Sequence, residues 1–504
     1  MTEGALRLAA VDLGAESGRV VVGTFDGGRL ALEDAHRFLN VPVSLGGTLH
    51  WDLLRLFGDV LTGLRHAAAG GPVASVGVDT WGVDFGLLDA RGRLLANPVH
   101  YRDERTDGMP DLAFAIVPRE EVYRATGIQL MPINTLFQLF SMARAQDPLL
   151  DGAERLLFMP DLIHHFLAGC AVAEYTIAST SQCLDPYSRD WARPLLERLR
   201  IPTRILPEIV TPGTVLGPLR AGIADSAGLR GTKVIAPGSH DTASAVVGAP
   251  LTPGGTTAFL SSGTWSLIGL EMAAPVVTDA TLAANLTNEG GVAGTIRLLR
   301  NVMGLWLVQQ CRNALWPDGG APSYEELAAL AGAAPAFSAF VDPDDERFLH
   351  HGDMPNRIRA YCRETGQPVP EDTAVLMRVI LESLALRYAW AIDELVAASG
   401  HPIDALHVVG GGSSHRLLCR LTAGATGLPV RSGPVEATAI GNLAVQAIAA
   451  GELAGVAEAR ELVARSFSVA SYEPEGDWAE ARGRFAALVA QRGAQPRPDS
   501  VATH

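Results

Sequence analysis

The stretch from Val11 to Arg19 reads VDLGAESGR, and it decides the fold. It ends an apolar run, Leu6 to Leu13, that is typical of a β-strand running into a glycine turn, and a β-rich run from Arg19 to Phe25 follows. Asp26-Gly27-Gly28 then predicts a hairpin turn before a third strand that begins at Leu30. The chain therefore opens on antiparallel strands joined by tight turns.

This layout recurs in the second half of the chain. Thr256–Leu260 and Trp265–Leu270 are predicted strands on either side of a small-residue turn, Ser261–Thr264. Two halves that each open on a hairpin, with a turn that can meet phosphates, indicate an internal duplication with its junction near Pro250–Gly255.

The composition limits the class of protein. A chain of 504 residues with 48% hydrophobic residues is long enough for two or more domains with sizeable cores. The formal net charge of −15 repels nucleic acid and anionic membranes, so we expect neither as a partner. The five cysteines include no CxxC pair, and no signal peptide or long apolar segment occurs, so we expect a reduced, cytoplasmic protein.

The first turn has the residues of a metal–phosphate site. Asp12 stands at a strand end and could hold Mg²⁺ through water. Gly14 and Gly18 let backbone amides approach phosphate oxygens, and Arg19 could neutralise their charge. The alternative is an ordinary β-turn with an exposed arginine.

A second motif, GSHDTASAV at residues 238–246, contains a candidate general base. Asp241 stands at the start of a small-residue helix and could take the proton of a hydroxyl that attacks phosphorus. The alternative is a helix N-cap, because Ser, Asp and Thr all cap helices well. His240 taken alone is more often a structural histidine than a catalyst.

Two glycine-rich turns and a tryptophan motif complete the pattern. SSGTWSL at 261–267 could contact terminal phosphates, and VVGGGSS at 408–414 could admit a nucleotide; both are otherwise plain turns. In DTWGVDF, at 79–85, Trp81 and Asp84 suit a sugar, unless the motif is a tight hairpin with a packed tryptophan. Lys233, the only lysine, stands outside any Walker A motif, which excludes a P-loop fold.

The ordered motifs resemble those of the FGGY carbohydrate kinases, from about Leu8 to about Gly451. The matching segments are DLGAESGR, DTWGVDF, SHDTASAV, LSSGTWSL, TNEGG, NVMGLWL and VVGGGSS. The resemblance implies an α/β fold of two actin-like (ribonuclease H-like) lobes with a central cleft. We expect a first lobe over residues 1–245 with the sugar site and first phosphate turn, and an ATP-binding second lobe over 246–490. A disordered tail is expected over 491–504.

The resemblance also implies a role for each matching residue. Asp241 is the implied proton acceptor and Asp12 the carboxylate associated with the metal. The implied sugar contacts are Gly82, His240, Asp241, Thr242 and Asn301. The implied ATP contacts are Ala15, Glu16, Ser17, Gly18, Arg19, Thr264, Gln309 and Gly411. Relatives often carry Ser at position 16, and we expect the Glu16 carboxylate to point away from the phosphates.

The implied reaction is the transfer of a phosphoryl group from ATP, with Mg²⁺, to L-rhamnulose, giving L-rhamnulose 1-phosphate. A kinase for another ketose, such as L-fuculose or a pentulose, is the alternative within enzymes. A non-catalytic sugar-binding regulator or a chaperone-like ATPase on the same fold is the alternative outside this class. We expect a monomer or a weak dimer.

Overall fold

The structure is a computed structural model that describes residues 5–252 and 255–493. In the first half, the strands are β1 Leu6–Leu13, β2 Ser17–Phe25, β3 Leu30–Leu39, β4 Val43–Leu45, β5 Thr48–His50, β6 Ser75–Thr80, β7 Phe85–Leu88, β8 Arg155–Phe158, β9 Ala173–Glu174, β10 Leu184–Asp185, β11 Asp190–Trp191, β12 Ile209–Val210, β13 Val215–Pro218 and β14 Lys233–Ile235. The helices there are α1 Leu53–Ala69, α2 Met109–Phe114, α3 Arg119–Thr126, α4 Thr135–Arg144, α5 Pro148–Gly152, α6 Met159–Ala168, α7 Tyr175–Ala178, α8 Arg193–Arg198, α9 Ala221–Ala227 and α10 Asp241–Val247.

The second half contains fewer strands and longer helices. Its strands are β15 Thr257–Ser262, β16 Trp265–Met272, β17 Thr287–Gly290, β18 Ile296–Met303, β19 Ala405–Val409, β20 Val430–Ser432 and β21 Ala470–Tyr472. Its helices are α11 Asp279–Ala283, α12 Trp306–Leu315, α13 Tyr324–Ala333, α14 Met354–Glu364, α15 Thr373–Ser399, α16 Arg416–Thr426, α17 Ala437–Ala449, α18 Val456–Ser466 and α19 Ala479–Gly493. Among the helices of the described residues, none has the length and the apolar composition of a transmembrane span.

Each half builds one mixed sheet, and the two sheets share a topology. The first has the order β13-β14-β6-β1-β2-β3 and the second β17-β18-β16-β15-β19-β20-β21. In both, an antiparallel meander (β1-β2-β3 or β15-β16-β18) is followed by two parallel strands (β6-β14 or β19-β20). The two strand–turn–strand units predicted from the sequence are confirmed, and so is the α/β class. The domain boundary at 245/246 falls inside α10 and stays a prediction.

Two local expectations were wrong. The tight hairpin given as the alternative for residues 79–85 does not form, because β6 has β1 on one side and β14 on the other, so both of its edges are occupied. The following strand β7 therefore pairs with β8 in a separate small sheet. At the C-terminus, α19 continues to Gly493, so residues 491–493 are helical; the rest of the expected tail lies outside the described residues.

The lobes meet where α10 and α17 cross with their backbones almost in contact. A Cβ atom on Gly441 of α17 would overlap the carbonyl oxygen of Ser244 in α10, and one on Gly248 would overlap that of Ala437. Glycine is needed at both positions because no side chain fits between the helices. The crossing fixes the start of α10, where Asp241 stands, against the second lobe.

Polar side chains of α17 attach that helix to the first sheet. Asn442 Nδ2 donates to Asp79 Oδ2 over 2.6 Å, and Gln446 Nε2 donates to the Ala9 carbonyl over 2.9 Å. Ser75 in turn donates to Gln446 Oε1 over 2.7 Å. These groups are buried, and buried polar groups are costly unless they are paired. The helix therefore has a defined register on the sheet.

The loop from β6 to β7 is fixed around the buried carboxylate of Asp84. Its Oδ2 accepts from the indole nitrogens of Trp51 (2.6 Å) and Trp81 (3.0 Å), and its Oδ1 accepts from Gln138 (3.2 Å). Asp84 is only 1% exposed, so the expectation that it binds sugar hydroxyls was wrong. Its acceptor sites are occupied by protein donors that hold Trp81 in place. Burial raises the pKa of Asp84 to about 6, although these donors oppose the rise.

Prediction for the helix crossing: Gly441→Ala should lower the free energy of unfolding by about 1–3 kcal/mol, because the added methyl group forces the two backbones apart. Gly58→Ala is the matched control, since Gly58 lies in α1 and an added Cβ there meets no atom within 4 Å. That control should stabilise the protein by about 0.5–1 kcal/mol. Urea denaturation measures both changes, and equal stability of the two variants would contradict the crossing.

Prediction for the buried carboxyl: Asp84→Asn should reduce the dependence of stability on pH. The folded Asp84 keeps its proton to about pH 6, whereas the unfolded carboxyl loses it near pH about 3.9, so stability is lost as pH rises. Between pH 5 and pH 7, the contribution of Asp84 should lower the unfolding free energy of the wild type by about 1 kcal/mol. Asp84→Asn should lack this contribution. Urea denaturation at both pH values gives the difference; parallel curves would refute it.

Candidate active site

Three adjoining cavities lie in the cleft between the two sheets. The inner cavity is lined by Gly82, His240, Asp241, Trp265, Glu289 and Asn301, among others. The middle cavity, of about 400 Å³, is lined by Asp12, residues 14–19, Asp241, Thr242, residues 261–265 and Gly411. The outer cavity, of about 550 Å³, is lined by Leu305, Val308, Gln309, Tyr324, Gly411 and Leu417. Every residue to which the sequence resemblance assigns a role therefore lines this one cleft.

The first turn, between β1 and β2, forms one wall of the middle cavity. Its loop is closed by the Gly14 amide donating to the Ser17 carbonyl over 2.8 Å, and Asn40 Nδ2 donates to the Gly14 carbonyl over 3.0 Å. Ala15, Glu16, Ser17 and Gly18 all face the cavity. The contact with Asn40 fixes the turn on the side away from the cavity, so the side that faces the cavity is open to a ligand.

Arg19 is engaged by carboxylates and is not a free cation. Its Nε and Nη2 both donate to Asp12 Oδ2, over 2.9 and 2.6 Å, and its Nη1 pairs with Glu436 of the second lobe. The sequence motif contained Asp12 and Arg19, but Glu436 lies more than 400 residues later and was missed. The positive charge at this turn is therefore largely compensated by the protein itself.

Glu16 lines the same cavity and is partly buried. Burial raises the pKa of its carboxyl above the ordinary value, while the charge of Arg102 acts in the opposite direction. The expected direction of its side chain, away from the phosphates, stays a prediction.

The second turn and the glycine-rich turn pack against each other across the cavity from the first. A Cβ on Gly412 would overlap Ser262 Oγ, and Gly410 has a φ of +79° and lies against the Ser262 carbonyl. A Cβ on Gly411, by contrast, would meet no atom within 4 Å, and this residue lines both the middle and outer cavities. The backbone at Gly411 is thus open to a ligand, next to Thr264 of the second turn.

Asp241 occupies the junction of the inner and middle cavities. It is the first residue of α10, and His240 holds the N-cap position, so the alternative that Asp241 is the cap does not apply. Thr242 Oγ1 donates to Asp241 Oδ1 over 2.9 Å, and His240 Nε2 lies 3.4 Å from that oxygen. Burial raises the pKa of Asp241, with His240 opposing the rise. Thr242 itself faces the middle cavity.

The inner cavity brings together groups from both lobes. Asn301 of β18 is oriented by Gln129, whose Oε1 accepts from the backbone N–H of Asn301 over 2.8 Å and from its side-chain Nδ2 over 3.3 Å. Val83 has a φ of +67°, a strained conformation for a β-branched residue, and its amide donates to Thr180 Oγ1 over 3.1 Å. Gln129 and Thr180 stand in no recognisable motif, so only the fold could reveal them.

Two carboxylates stand side by side at the strand ends next to Asp241. Asp12 and Asp79 are direct neighbours in the parallel pairing of β1 with β6. Burial, and then the charge of Asp12, raise the pKa of Asp79 well above its ordinary value. No three His, Cys, Asp or Glu side chains of the described residues are arranged to hold a metal ion by themselves. A cation here would take most of its ligands from phosphate oxygens and water, as Mg²⁺ commonly does.

Arg102 joins the two lobes beside the inner cavity. It follows Tyr101 in the first lobe, and its guanidinium lies 4.0 Å from the ring centroid of Trp306 and 5.1 Å from that of Trp265, both in the second lobe. Its Nη1 also donates to the Leu349 carbonyl. Arg102 is 3% exposed, so this contact across the cleft is dry.

Comparison with known sequences agrees with the geometry. The sequence pattern of the N-terminal domain of the FGGY family of carbohydrate kinases matches residues 8–248, and that of the C-terminal domain matches residues 258–450. A rhamnulokinase of Bacteroides thetaiotaomicron is 46% identical over 467 residues, which cover 92% of this chain and 95% of that protein. A rhamnulokinase of Pectobacterium carotovorum is 44% identical over 487 residues, covering 95% and 96%.

Solved structures share the two-lobed fold. The gluconate kinase from Lactobacillus acidophilus superposes with a TM-score of 0.77 at 17% identity, covering 97% of this chain and 98% of that chain. A ligand-bound xylulose kinase from the same organism gives the same values. At this identity the likeness shows the fold alone, which is the two-domain actin-like fold expected from the sequence motifs. The two domain patterns and the full-length relatives together show that this chain belongs to the FGGY family of carbohydrate kinases.

Proposed function

We propose that the protein transfers the γ-phosphoryl group of ATP to L-rhamnulose, giving L-rhamnulose 1-phosphate and ADP. The observation that carries this proposal is the place of Asp241, whose carboxylate faces both the inner and the middle cavity. A hydroxyl in one cavity and a phosphoryl group in the other would meet at this side chain. The choice of ketose is supported by the rhamnulokinases that match nearly the whole chain.

Asp241 is the general base of the proposed reaction. A bond forms between the sugar hydroxyl oxygen and the γ-phosphorus, the bond from the γ-phosphorus to the bridging oxygen of ADP breaks, and the hydroxyl proton passes to Asp241. Burial raises the pKa of Asp241, which brings it closer to neutral pH and makes it a stronger proton acceptor. Thr242 orients the carboxylate by donating to Oδ1.

The middle and outer cavities take ATP in this proposal. The amides of residues 15–18 and the Thr264 turn contact the phosphates, and Arg19 stabilises the first turn through Asp12. Gln309 and Gly411, which line both cavities, contact the nucleoside. The apolar walls of the outer cavity suit a purine base.

The strand ends fit a magnesium ion bound with the nucleotide. Asp12 lines the middle cavity and offers the hard oxygen donors that Mg²⁺ prefers, while the absence of a complete ligand cage among the described residues matches an ion held mainly by phosphate and water. When bound, Mg²⁺ neutralises charge on the transferring phosphoryl group. Asp12 would hold it, and Arg19 would fix the position of Asp12.

The inner cavity takes the ketose. Gly82, His240 and Asn301 contact its hydroxyls in this proposal, and Trp81 and Trp265 offer flat faces to its C–H surface. A Cβ on Gly82 would lie 3.0 Å from Thr180 Oγ1, so a larger residue there would require Thr180 to shift by a few tenths of an ångström. We place the reaction in the cytoplasm and expect a monomer or a weak dimer.

Prediction for the substrate: in a coupled assay of ADP release, L-rhamnulose should be turned over with the highest kcat/KM among L-rhamnulose, L-fuculose, L- and D-xylulose, and L- and D-ribulose, with glycerol as the control. Preference for another ketose would keep the mechanism and overturn the substrate. No turnover with any of these compounds would favour a non-catalytic sugar-binding protein.

Prediction for the base: Asp241→Asn should lower kcat by about 10²–10⁴-fold, because the amide cannot accept the proton. The affinity for ATP, measured by titration calorimetry, should stay near that of the wild type. Asp225→Asn is the control, since Asp225 is an exposed residue of the first lobe paired with Arg230. Near-normal turnover in Asp241→Asn would remove Asp241 from the role of base.

A further inference from the structure

A second carboxylate, Glu289, faces the inner cavity and has no role in the mechanism derived so far. It lies on β17, directly opposite Arg297 on β18 in the antiparallel register. Arg297 Nη2 lies 3.3 Å from Glu289 Oε2, and the side chains are 0% and 5% exposed respectively. Burying such a pair costs several kcal/mol of desolvation per ion, so packing alone gives it no clear stabilising role.

The same carboxylate reaches Asp241 through one imidazole ring. His240 Nδ1 lies 3.4 Å from Glu289 Oε2, and His240 Nε2 lies 3.4 Å from Asp241 Oδ1. The backbone of His240 is fixed separately, because its amide donates to Thr176 Oγ1 over 3.1 Å. The His240 ring therefore bridges two carboxylates, one on each of its nitrogens.

This cluster is charged but incompletely hydrogen-bonded. Within the described residues, Glu289 Oε2, His240 Nδ1, and Arg297 Nη1 and Nη2 are buried and make no hydrogen bond of good geometry. Buried polar atoms are rarely left in this state, and each one calls for an explanation. Burial acts to raise the pKa of Glu289, but the contacts with His240 and Arg297 outweigh it and lower the pKa, so the side chain is an anion.

We propose that Glu289 is a further sugar-binding residue, which accepts a hydrogen bond from a hydroxyl of the ketose and at the same time orients His240 towards Asp241. Glu289 lines the inner cavity together with His240, Asp241 and Asn301, so its carboxylate meets the same ligand as they do. A bound hydroxyl donates to this carboxylate and adds a hydrogen bond to the cluster. The inference rests on the proposed function, because it assigns a contact to the ketose in that cavity.

This arrangement makes Glu289 a determinant of specificity. A site built to bind a particular hydroxyl discriminates strongly against an analogue that lacks it, because the buried acceptor is then left unpaired. Because Glu289 and Asp241 are neighbouring acceptors, a ligand that pairs with both must offer more than one hydroxyl. Glu289 thus selects for a polyhydroxy ketose, whereas the aromatic walls formed by Trp81 and Trp265 do not distinguish hydroxyl positions.

The test is Glu289→Gln, assayed with the ketose that the wild type turns over fastest. A hydrogen bond to a charged acceptor is worth about 1.5–3 kcal/mol, so KM for the ketose should rise about 10- to 100-fold while KM for ATP stays within about twofold of the wild type. Glu382→Gln is the matched control. Glu382 is also a buried carboxylate paired with an arginine, Arg378, but it lies on α15 away from the cleft, and its substitution should leave both KM values unchanged.

A double-mutant cycle with His240→Asn tests the positioning role. If Glu289 acts partly through His240, the fold losses of kcat/KM in the two single variants will multiply to more than the loss in the double variant. If the product of the two single-variant losses of kcat/KM equals the loss in the double variant, the two residues act independently, and the positioning role is overturned. An unchanged ketose KM in Glu289→Gln would overturn the sugar contact.

Two further outcomes are distinct from these. If Glu289→Gln does not fold, Glu289→Asp retains the charge beside Arg297 but withdraws the carboxylate from the cavity, and it should give the same selective rise in ketose KM; an unchanged KM there overturns the proposal. Absence of turnover in the wild type with every ketose overturns the proposed function itself. If the wild type is active and the Glu289 variants have the same ketose KM, only the role of Glu289 is overturned.

Discussion

The close crossing of α10 and α17 is the constraint on which the cleft depends. Because Gly441 and Gly248 let the two backbones touch, the helices lie at a separation that side chains would not permit. Asp241 is the first residue of α10, and Asn442, next to Gly441 in α17, donates a hydrogen bond to Asp79, the neighbour of Asp12 in the sheet. The proposed base and the strand-end carboxylates are therefore positioned from a single point of contact between the lobes.

The first turn of the cleft differs from a phosphate site built on a free lysine or arginine, because its arginine is already paired with carboxylates. The chain carries a net charge of −15 and a single lysine, and Arg19 is compensated by Asp12 and Glu436. In the proposed complex, backbone amides in the turns bind the polyanion, and these amides do not have to leave an ion pair first. A cation bound with the nucleotide would supply the remaining positive charge.

The sequence predicted the parts of the molecule that are local. The β1–β2 hairpin and its counterpart β15–β16 follow from apolar runs and glycine turns, and the proposed base stands in a motif that is contiguous in the chain. Asp84 was misjudged because its partners include Trp51, 33 residues earlier, and such pairings are set by packing. Gln129 and Glu436 reach the cleft only through the tertiary fold, so no local pattern could identify them.

The contact of Arg102 with the second lobe has a consequence for the cohesion of the two lobes. The guanidinium belongs to one lobe and the rings of Trp265 and Trp306 to the other, so the stack exists only when the lobes are together. A desolvated cation–π contact is worth about 2 kcal/mol, which corresponds to a population ratio of about thirtyfold. Separation of the lobes at this point forfeits that amount before any ligand binds. The arrangement of the lobes in this structure is therefore favoured before any ligand enters the cleft.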